Sequence, residues 1–272
     1  MSDWSANFRH ALTERGLDPA RIDQLDCDAL EQAADHGLAP EQVFGPATVY
    51  ADRVARALRC PAAAPLPAQG EPGCALRLTG VSKRYGRRQV LRDVSLEVRE
   101  GELVAVVGAN GCGKSTLLQI CAGTIRPSSG TVERVAHVGY VPQTGGTAEL
   151  LTPVEHFQLF AAARSDSRGR GVAIGTQLAT SLGWRPPASQ PAGQLSGGTR
   201  QKLNVVLGEL SRPDLLLLDE PYQGFDYGAY VDLWAQIDRW RETGAAVLIV
   251  THMLGELHRV DRVVELDAPK DC

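Results

Sequence analysis

Nine consecutive residues, GANGCGKST at 108–116, place three glycines ahead of a lysine and two hydroxyls. Glycines at this spacing let the backbone curl until successive N–H groups point inward, forming a nest for phosphate oxygens. The pattern G-x-x-x-x-G-K-[ST] is met, with an apolar run before it and helix formers after it. Gly108, Asn110, Gly111, Cys112, Gly113, Lys114, Ser115 and Thr116 are therefore the expected phosphate binders. Lys114 supplies a compact charge for β- and γ-phosphates, and Ser115 an oxygen for Mg²⁺. The chain has four lysines against twenty-four arginines, so lysine here is a departure from its own habit. A point charge suits a tight loop better than a forked guanidinium. The thiol of Cys112, inside the loop, is expected to meet thiol reagents.

A second stretch supplies acids. LLLLDE (215–220) reads as a buried strand with Asp219 emerging at its C-terminal end, where open α/β sheets bind ligands. Asp219 is expected to hold Mg²⁺ through water. If the strand continues extended, Glu220 points the other way and is left to orient or deprotonate a water attacking a γ-phosphate. A third stretch, QLSGGTRQKLN (194–204), puts Ser196, Gly197 and Gly198 directly before a helical segment. A helix start carries about half a positive charge and unpaired N–H groups, so this is a second phosphate-facing surface. No neighbouring residue completes a nucleotide site around it.

Elements must bring these stretches together. LVAVVG (103–108) is a short apolar run of the kind that forms a buried strand, and a helix follows from about Lys114. ALRLTGVSKRY and QVLRDVSLEV alternate with period two and read as strands of an antiparallel sheet. Two short strands are expected around VAHVGYVPQ. Helix follows, with breaks, from about 152 to 187, and another starts at 196. Strands at 214–219 and 245–251 enclose a helix at 228–242; a short helix and a strand at RVVELD end the series. Strands alternating with helices indicate a mainly parallel α/β core.

Residues 1–58 read instead as three short helices. Trp4, Phe8 and Leu12 make one stripe. Asp18-Pro19 opens a second helix carrying Ile22, Leu25 and Ala29, which Gly37 stops. Pro46 opens a third with Tyr50, Val54 and Leu58. Residues 59–74, with four prolines and two glycines, form a semi-extended linker. Residues 75–272 are then a separate domain.

Composition bounds the function. Net charge is −4, with eleven Asp and Glu against six Arg in the first 75 residues, which argues against nucleic acid as a partner. No apolar run approaches the ~18 residues needed to span a bilayer. The start, MSDWSANFRH, lacks a basic and then apolar leader, so a cytoplasmic location is expected. The six cysteines form no C-x-x-C pair and read as free thiols in a reducing compartment, although Cys60 and Cys74 flank the linker and could meet.

From about 76 to 267 the chain resembles the ATP-binding cassette (ABC) ATPase family. The resemblance rests on motifs in the family's order: Tyr85 in VSKRYG, the phosphate loop, Gln143 in YVPQ, LSGGTRQK (195–202), LLLLDE, Asp226, and His252 in VTH. It implies a P-loop NTPase core with an antiparallel β subdomain and a helical insertion at about 144–194, preceded by a small all-α domain. It implies that Tyr85 stacks on adenine, that Gln143 helps hold Mg²⁺ and senses the γ-phosphate, and that Asp226 lines the dimer's nucleotide site. His252 would assist hydrolysis beside Glu220. The resemblance also implies why the second helix start stands alone: Ser196, Gly197 and Gly198 face the ATP held by another subunit. Two chains, expected to be a homodimer, then pair head to tail around two ATP. Such an ATPase is expected on the inner face of the membrane, joined to a separate transmembrane permease that the helix LTPVEHFQLFAAAR would approach. LSGGTRQKLN looks most like the exporting branches, so export is expected. A cassette ATPase remodelling a protein complex without a membrane partner is the alternative, and a non-hydrolysing regulatory module is disfavoured by Glu220 and His252. The family's small residues after DEP are replaced by Tyr222, Gln223 and Phe225, which predicts an altered dimer contact. EQVFGPATVYADRVARAL (41–58) resembles the end of small helical domains attached to bacterial membrane-signalling and transporter proteins.

Overall fold

The computed structural model of the chain describes residues 3–35, 39–58, 73–163, 167–251, 257 and 259–266. Its centre is made by the runs that are apolar without alternation. β3 (Leu103–Val107), β6 (Leu215–Asp219) and β7 (Ala246–Val250) are buried at every residue, as parallel strands covered on both faces must be. With β5 (Val138–Val141) and β8 (Arg262–Glu265) they form a parallel sheet in the order β5-β6-β7-β3-β8. Alternate side chains enter two different cores. Leu103, Ala105, Val107, Leu216 and Leu218 face one, while Val104, Val106, Leu215 and Leu217 face the other.

The alternating segments form the second sheet. β1 (Cys74–Tyr85), β2 (Arg88–Arg99) and β4 (Ser129–Arg134) pair antiparallel in the order β2-β1-β4. α5 (Lys114–Ala122) follows the phosphate loop. α6 (Pro153–Ala163) and α7 (Arg168–Ser181) make the helical insertion, and α8 (Gly197–Leu210) and α9 (Tyr227–Glu242) flank β6 in sequence. α6 starts cleanly because Thr152 and Glu155 bond reciprocally: the Thr152 N–H donates to Glu155 Oε2 at 2.7 Å and the Glu155 N–H to Thr152 Oγ1 at 3.3 Å.

The described residues up to 58 form four helices rather than three: α1 (Asp3–Glu14), α2 (Pro19–Asp35), α3 (Pro40–Phe44) and α4 (Ala47–Leu58). The additional α3 is a single turn opened by Pro40 and ended at Gly45, where φ is 78°. Trp4, Phe8, Phe44 and Tyr50 stack into one aromatic cluster with neighbouring ring centroids 4.6–5.8 Å apart, and the Trp4 indole donates to Gly45 O at 2.8 Å. α4 lies against β8, and these helices share a hydrophobic core with the sheet. The expected stop at Gly37, linker residues 59–72, Cys60 and most of the short helix after β7 fall outside the described residues. Cys74 carries a free thiol.

One acid is buried far from the phosphate loop in sequence. Glu209, near the end of α8, accepts from Gln236 Nε2 at 2.8 Å. Burial pushes its carboxyl up to about 7, against the opposing pull of Arg239 and Gln236. The folded chain therefore holds this proton while the unfolded chain releases it near 4.5. As pH rises from 4.5 to 7 the unfolded state loses a proton that the native state keeps, so stability falls across that window and then levels off. Glu209→Gln is expected to flatten this slope and to raise stability at pH 8 by on the order of 2–3 kcal/mol. Urea melts at pH 5 and pH 8 check it: an unchanged difference between the two pH values would remove Glu209 as its source.

Candidate functional site

All five parallel strands point their C-terminal ends the same way, so the residues following β3, β5, β6 and β7 gather at one edge. The phosphate loop leaves β3 with Gly108 at φ 153°, Gly111 at 80° and Gly113 at 104°. Gly113 has a second constraint: a Cβ there would fall 2.8 Å from both Leu91 Cδ2 and Val90 O. β2 thus backs the loop so closely that only glycine fits. α5 begins at Lys114 with no side-chain cap, whereas α7, α8 and α9 are capped by Ser167, Ser196 and Asp226. The first N–H groups of α5 therefore remain for an anion. Lys114 is only 7% exposed. Its ammonium folds back on the loop, donating to Gly108 O at 2.7 Å and Ala109 O at 3.1 Å. Asn110 and Gly111 form the exposed rim.

Asp219 closes β6 and is 2% exposed. Burial raises its pKa; the Ser115 hydroxyl pulls the other way, the Glu220 charge adds to the rise, and Lys114 opposes it. These causes place Ser115, Glu220 and Lys114 around one carboxylate. Its Oδ1 is buried without a hydrogen-bond partner, a costly arrangement for an isolated chain. A divalent cation or its water would satisfy that oxygen, so Asp219, with the Ser115 hydroxyl beside it, fits the expected Mg²⁺. Among the described residues no group of three or more His, Cys, Asp and Glu stands together.

Glu220 does not continue the strand. Its φ is +46°, a left-handed conformation costly for a side chain with a Cβ. The expected alternation across an extended strand is thereby corrected: a turn, not the pleat, separates the two carboxylates. Glu220 is 8% exposed, its N–H donates to Val250 O at 3.1 Å, and its Oε2 accepts from Gln143 Nε2 at 2.8 Å. Gln143, two residues beyond β5, is thus brought directly to the carboxylate expected to act as base.

The remaining residues lie elsewhere or serve differently. Tyr85 ends β1 with its ring half exposed and Lys83 Nζ 5.0 Å from its centroid. Ser196 caps α8, its hydroxyl accepting from the Thr199 N–H at 3.2 Å, while Gly197 is open to solvent. Gly198 lies backbone to backbone on Gly224 of the β6–α9 turn; a Cβ on Gly198 would come 1.9 Å from Gly224 O. Asp226 caps α9, accepting from the Ala229 N–H at 2.8 Å. His252 falls outside the described residues.

One expectation is overturned and another narrowed. Cys112 is 2% exposed, so the thiol faces the interior while its backbone lines the loop, and it is shielded from reagents. Tyr222 and Phe225 are each 7% exposed and packed inside the chain; of the three unusual residues only Gln223 faces solvent. Tyr222 and Phe225 therefore shape the interior, and Gln223 alone is left for the expected altered dimer contact. The Tyr222 hydroxyl pairs with Thr251 Oγ1 at 2.6 Å, bracing the turn after Glu220 against the end of β7. A tyrosine within a turn carries no local sign of this burial.

A family model described as ABC transporter matches residues 91–223. An aliphatic sulfonates import ATP-binding protein from Burkholderia ambifaria is 37% identical over 240 residues, covering 80% of this chain and 73% of that protein. A zinc import ATP-binding protein from Roseobacter denitrificans is 39% identical over 201 residues, covering 71% of this chain and 75% of that one. The sulfonate relative from Burkholderia pseudomallei is longer, and the chain spans 62% of it. An ATP-binding subunit of an ABC transporter of known structure is 31% identical, with TM-score 0.65 over 71% of this chain and 86% of that one. These relatives are named as importers, so the expected exporting branch is not supported. No helix among the described residues is long and apolar enough to cross a membrane. The chain belongs to the ABC transporter family, as an ATP-hydrolysing, nucleotide-binding subunit that works with a membrane partner.

Proposed function

We propose that this chain powers import through a separate transmembrane permease, hydrolysing Mg-ATP in a head-to-tail homodimer on the cytoplasmic face of the membrane. The observation that carries the ATP site is the uncapped start of α5, with buried Lys114 beside an Asp219 whose Oδ1 has no partner. The importing direction rests on relatives 37–39% identical whose names are those of import proteins.

In this reading Tyr85 stacks on adenine, and the backbone N–H groups of 108–116 hold the phosphates. Lys114 shifts its ammonium from the loop carbonyls to the β- and γ-phosphates. Ser115, Gln143 and Asp219 would hold Mg²⁺, which when bound supplies charge neutralisation on the phosphate oxygens. Glu220 accepts a proton from the attacking water, its carboxylate aimed by the hydrogen bond from Gln143. His252 assists at the γ-phosphate. Ser196, Gly197 and Gly198 present the start of α8 to the partner copy's ATP, with the Ser196 hydroxyl able to donate while it accepts from Thr199. Asp226 borders that junction. Residues 1–58 form a helical domain, 59–74 a linker and 75–272 the ATP-binding domain, with its insertion at about 144–194 turned to the permease.

Purification of the chain from membranes, followed by ATP-driven transport in vesicles of defined orientation, tests this. Copurification of a polytopic protein and uptake toward the ATP-containing side are expected. Full turnover by a chain that never associates with membranes, or movement away from the ATP side, would sink the proposal.

A further inference from the structure

Two amide side chains on α8 are buried at 4% exposure each, on a helix face that otherwise carries leucine and valine. Gln201 and Asn204 are three residues apart and so share one face of the helix. Gln201 Nε2 donates to Pro142 O at 3.1 Å, and Asn204 Nδ2 donates to Gly145 O at 2.9 Å and to Gln201 Oε1 at 3.1 Å. The two carbonyls they hold bracket Gln143 in the chain. The orientation of Asn204 is set by chemistry: a flipped amide would turn its oxygen toward two other oxygens. The loop can reach α8 because Gly145 and Gly146 adopt φ of 79° and 82°. Gly146 then seats against Asn204; a Cβ there would lie 2.6 Å from Asn204 Oδ1.

The hydrogen bonds continue in both directions. Gln143 donates to Glu220 at 2.8 Å. Residues 220–224 lead through the turn to Gly224, whose backbone lies on Gly198 at the start of α8. A closed ring results: Glu220, Gln143, the 142–145 backbone, Gln201 and Asn204, α8 down to Gly198, and Gly224. A small cavity lined by Gln143, Gly197, Gln201, Asn204, Gln223 and Gly224 lies within it.

We propose that Gln201 and Asn204 are positioning residues that lock the loop of Gln143 to α8, so that nucleotide in one pocket sets how Ser196 and Gly197 are presented to the other. The proposal rests on the roles given above to Gln143 and to the start of α8. Neither amide touches substrate. Their effect is exerted through the loop they hold, and its physical basis is that buried donors and acceptors tolerate few alternative partners.

The test uses the full chain with Asn204→Ala and, as a guard against a cavity variant that does not fold, Gln201→Met, which keeps length and apolar packing. Steady-state ATPase is measured against ATP concentration, alongside Mg-ATP affinity at protein concentrations below dimerisation. Each variant is expected to bind ATP to the single chain within about two-fold of wild type, while kcat falls about ten-fold and the Hill coefficient drops toward one. In a Glu220→Gln background the same variants are expected to weaken ATP-driven dimerisation about ten-fold. Wild-type kcat and cooperativity in a folded variant would overturn the clamp. A wild-type chain that binds ATP but neither dimerises nor turns over would overturn the underlying reading instead.

Discussion

Glu220→Gln is expected to reduce ATP turnover by about 10²–10⁴-fold, the range contributed by a positioned general base, and to leave an ATP-bound dimer that persists. The replacement is nearly isosteric and bears the same left-handed backbone at φ +46°. Its amide oxygen still accepts from Gln143, so the hydrogen bond seen at 2.8 Å is retained. What disappears is the capacity to take a proton from water. ATP then remains between two positive surfaces, the uncapped start of α5 in one copy and the exposed start of α8 in the other. Light scattering with Mg-ATP should show the variant at twice the mass of the chain, and wild type should return to a single chain as ATP is consumed. Turnover near the wild-type rate would take the base role from Glu220. Glu220→Ala separates the two parts of the effect, because it removes the base and also leaves Gln143 without its acceptor.

Much of this site is legible in the sequence because its parts are local. Glycines at 108, 111 and 113 dictate a curled backbone wherever they fall, and the apolar runs of β3, β6 and β7 can be buried only as central strands. Ser196 reads as the start of a helix, and it is one, although its hydroxyl takes one of the N–H groups expected to be unpaired. The misses share a cause in distant contacts. Strand order, with β7 between β6 and β3, depends on pairings among segments far apart in the chain. Glu220 continues an apolar run that looks extended, and its turn is imposed by the bond from its N–H to Val250 O in another strand. Tyr222 looks like an outer contact until Thr251, 29 residues later, takes its hydroxyl. Gln201 and Asn204 look like polar helix residues, since nothing near them in sequence shows that the loop at 142–145 folds over them. The expected direction of transport lacks support for another reason, since relatives 37–39% identical are named as importers. The expectation of export rested on the wording of a motif that carries out phosphate chemistry.

Lys114→Ala is expected to remove nucleotide binding, and its readout is independent of turnover. Ligand that binds only the folded chain stabilises it by RT ln(1 + [L]/Kd), about 2.7 kcal/mol at a hundredfold excess over Kd. Wild type should therefore melt higher in Mg-ATP, and the variant should show almost none of that shift. The reason lies in where the ammonium sits. It is 7% exposed, held to Gly108 O and Ala109 O, and near enough to Asp219 to favour that carboxylate's charge. Removing it leaves the loop carbonyls short of a donor and the phosphates short of their nearest fixed charge. Lys114→Arg is expected to fail as well, since a planar fork of donors cannot occupy a space shaped by the backbone for a single ammonium. A full Mg-ATP shift in Lys114→Ala would show that the loop binds nucleotide through its backbone alone, and the account of the ammonium's move from Gly108 and Ala109 to the phosphates would fall with it.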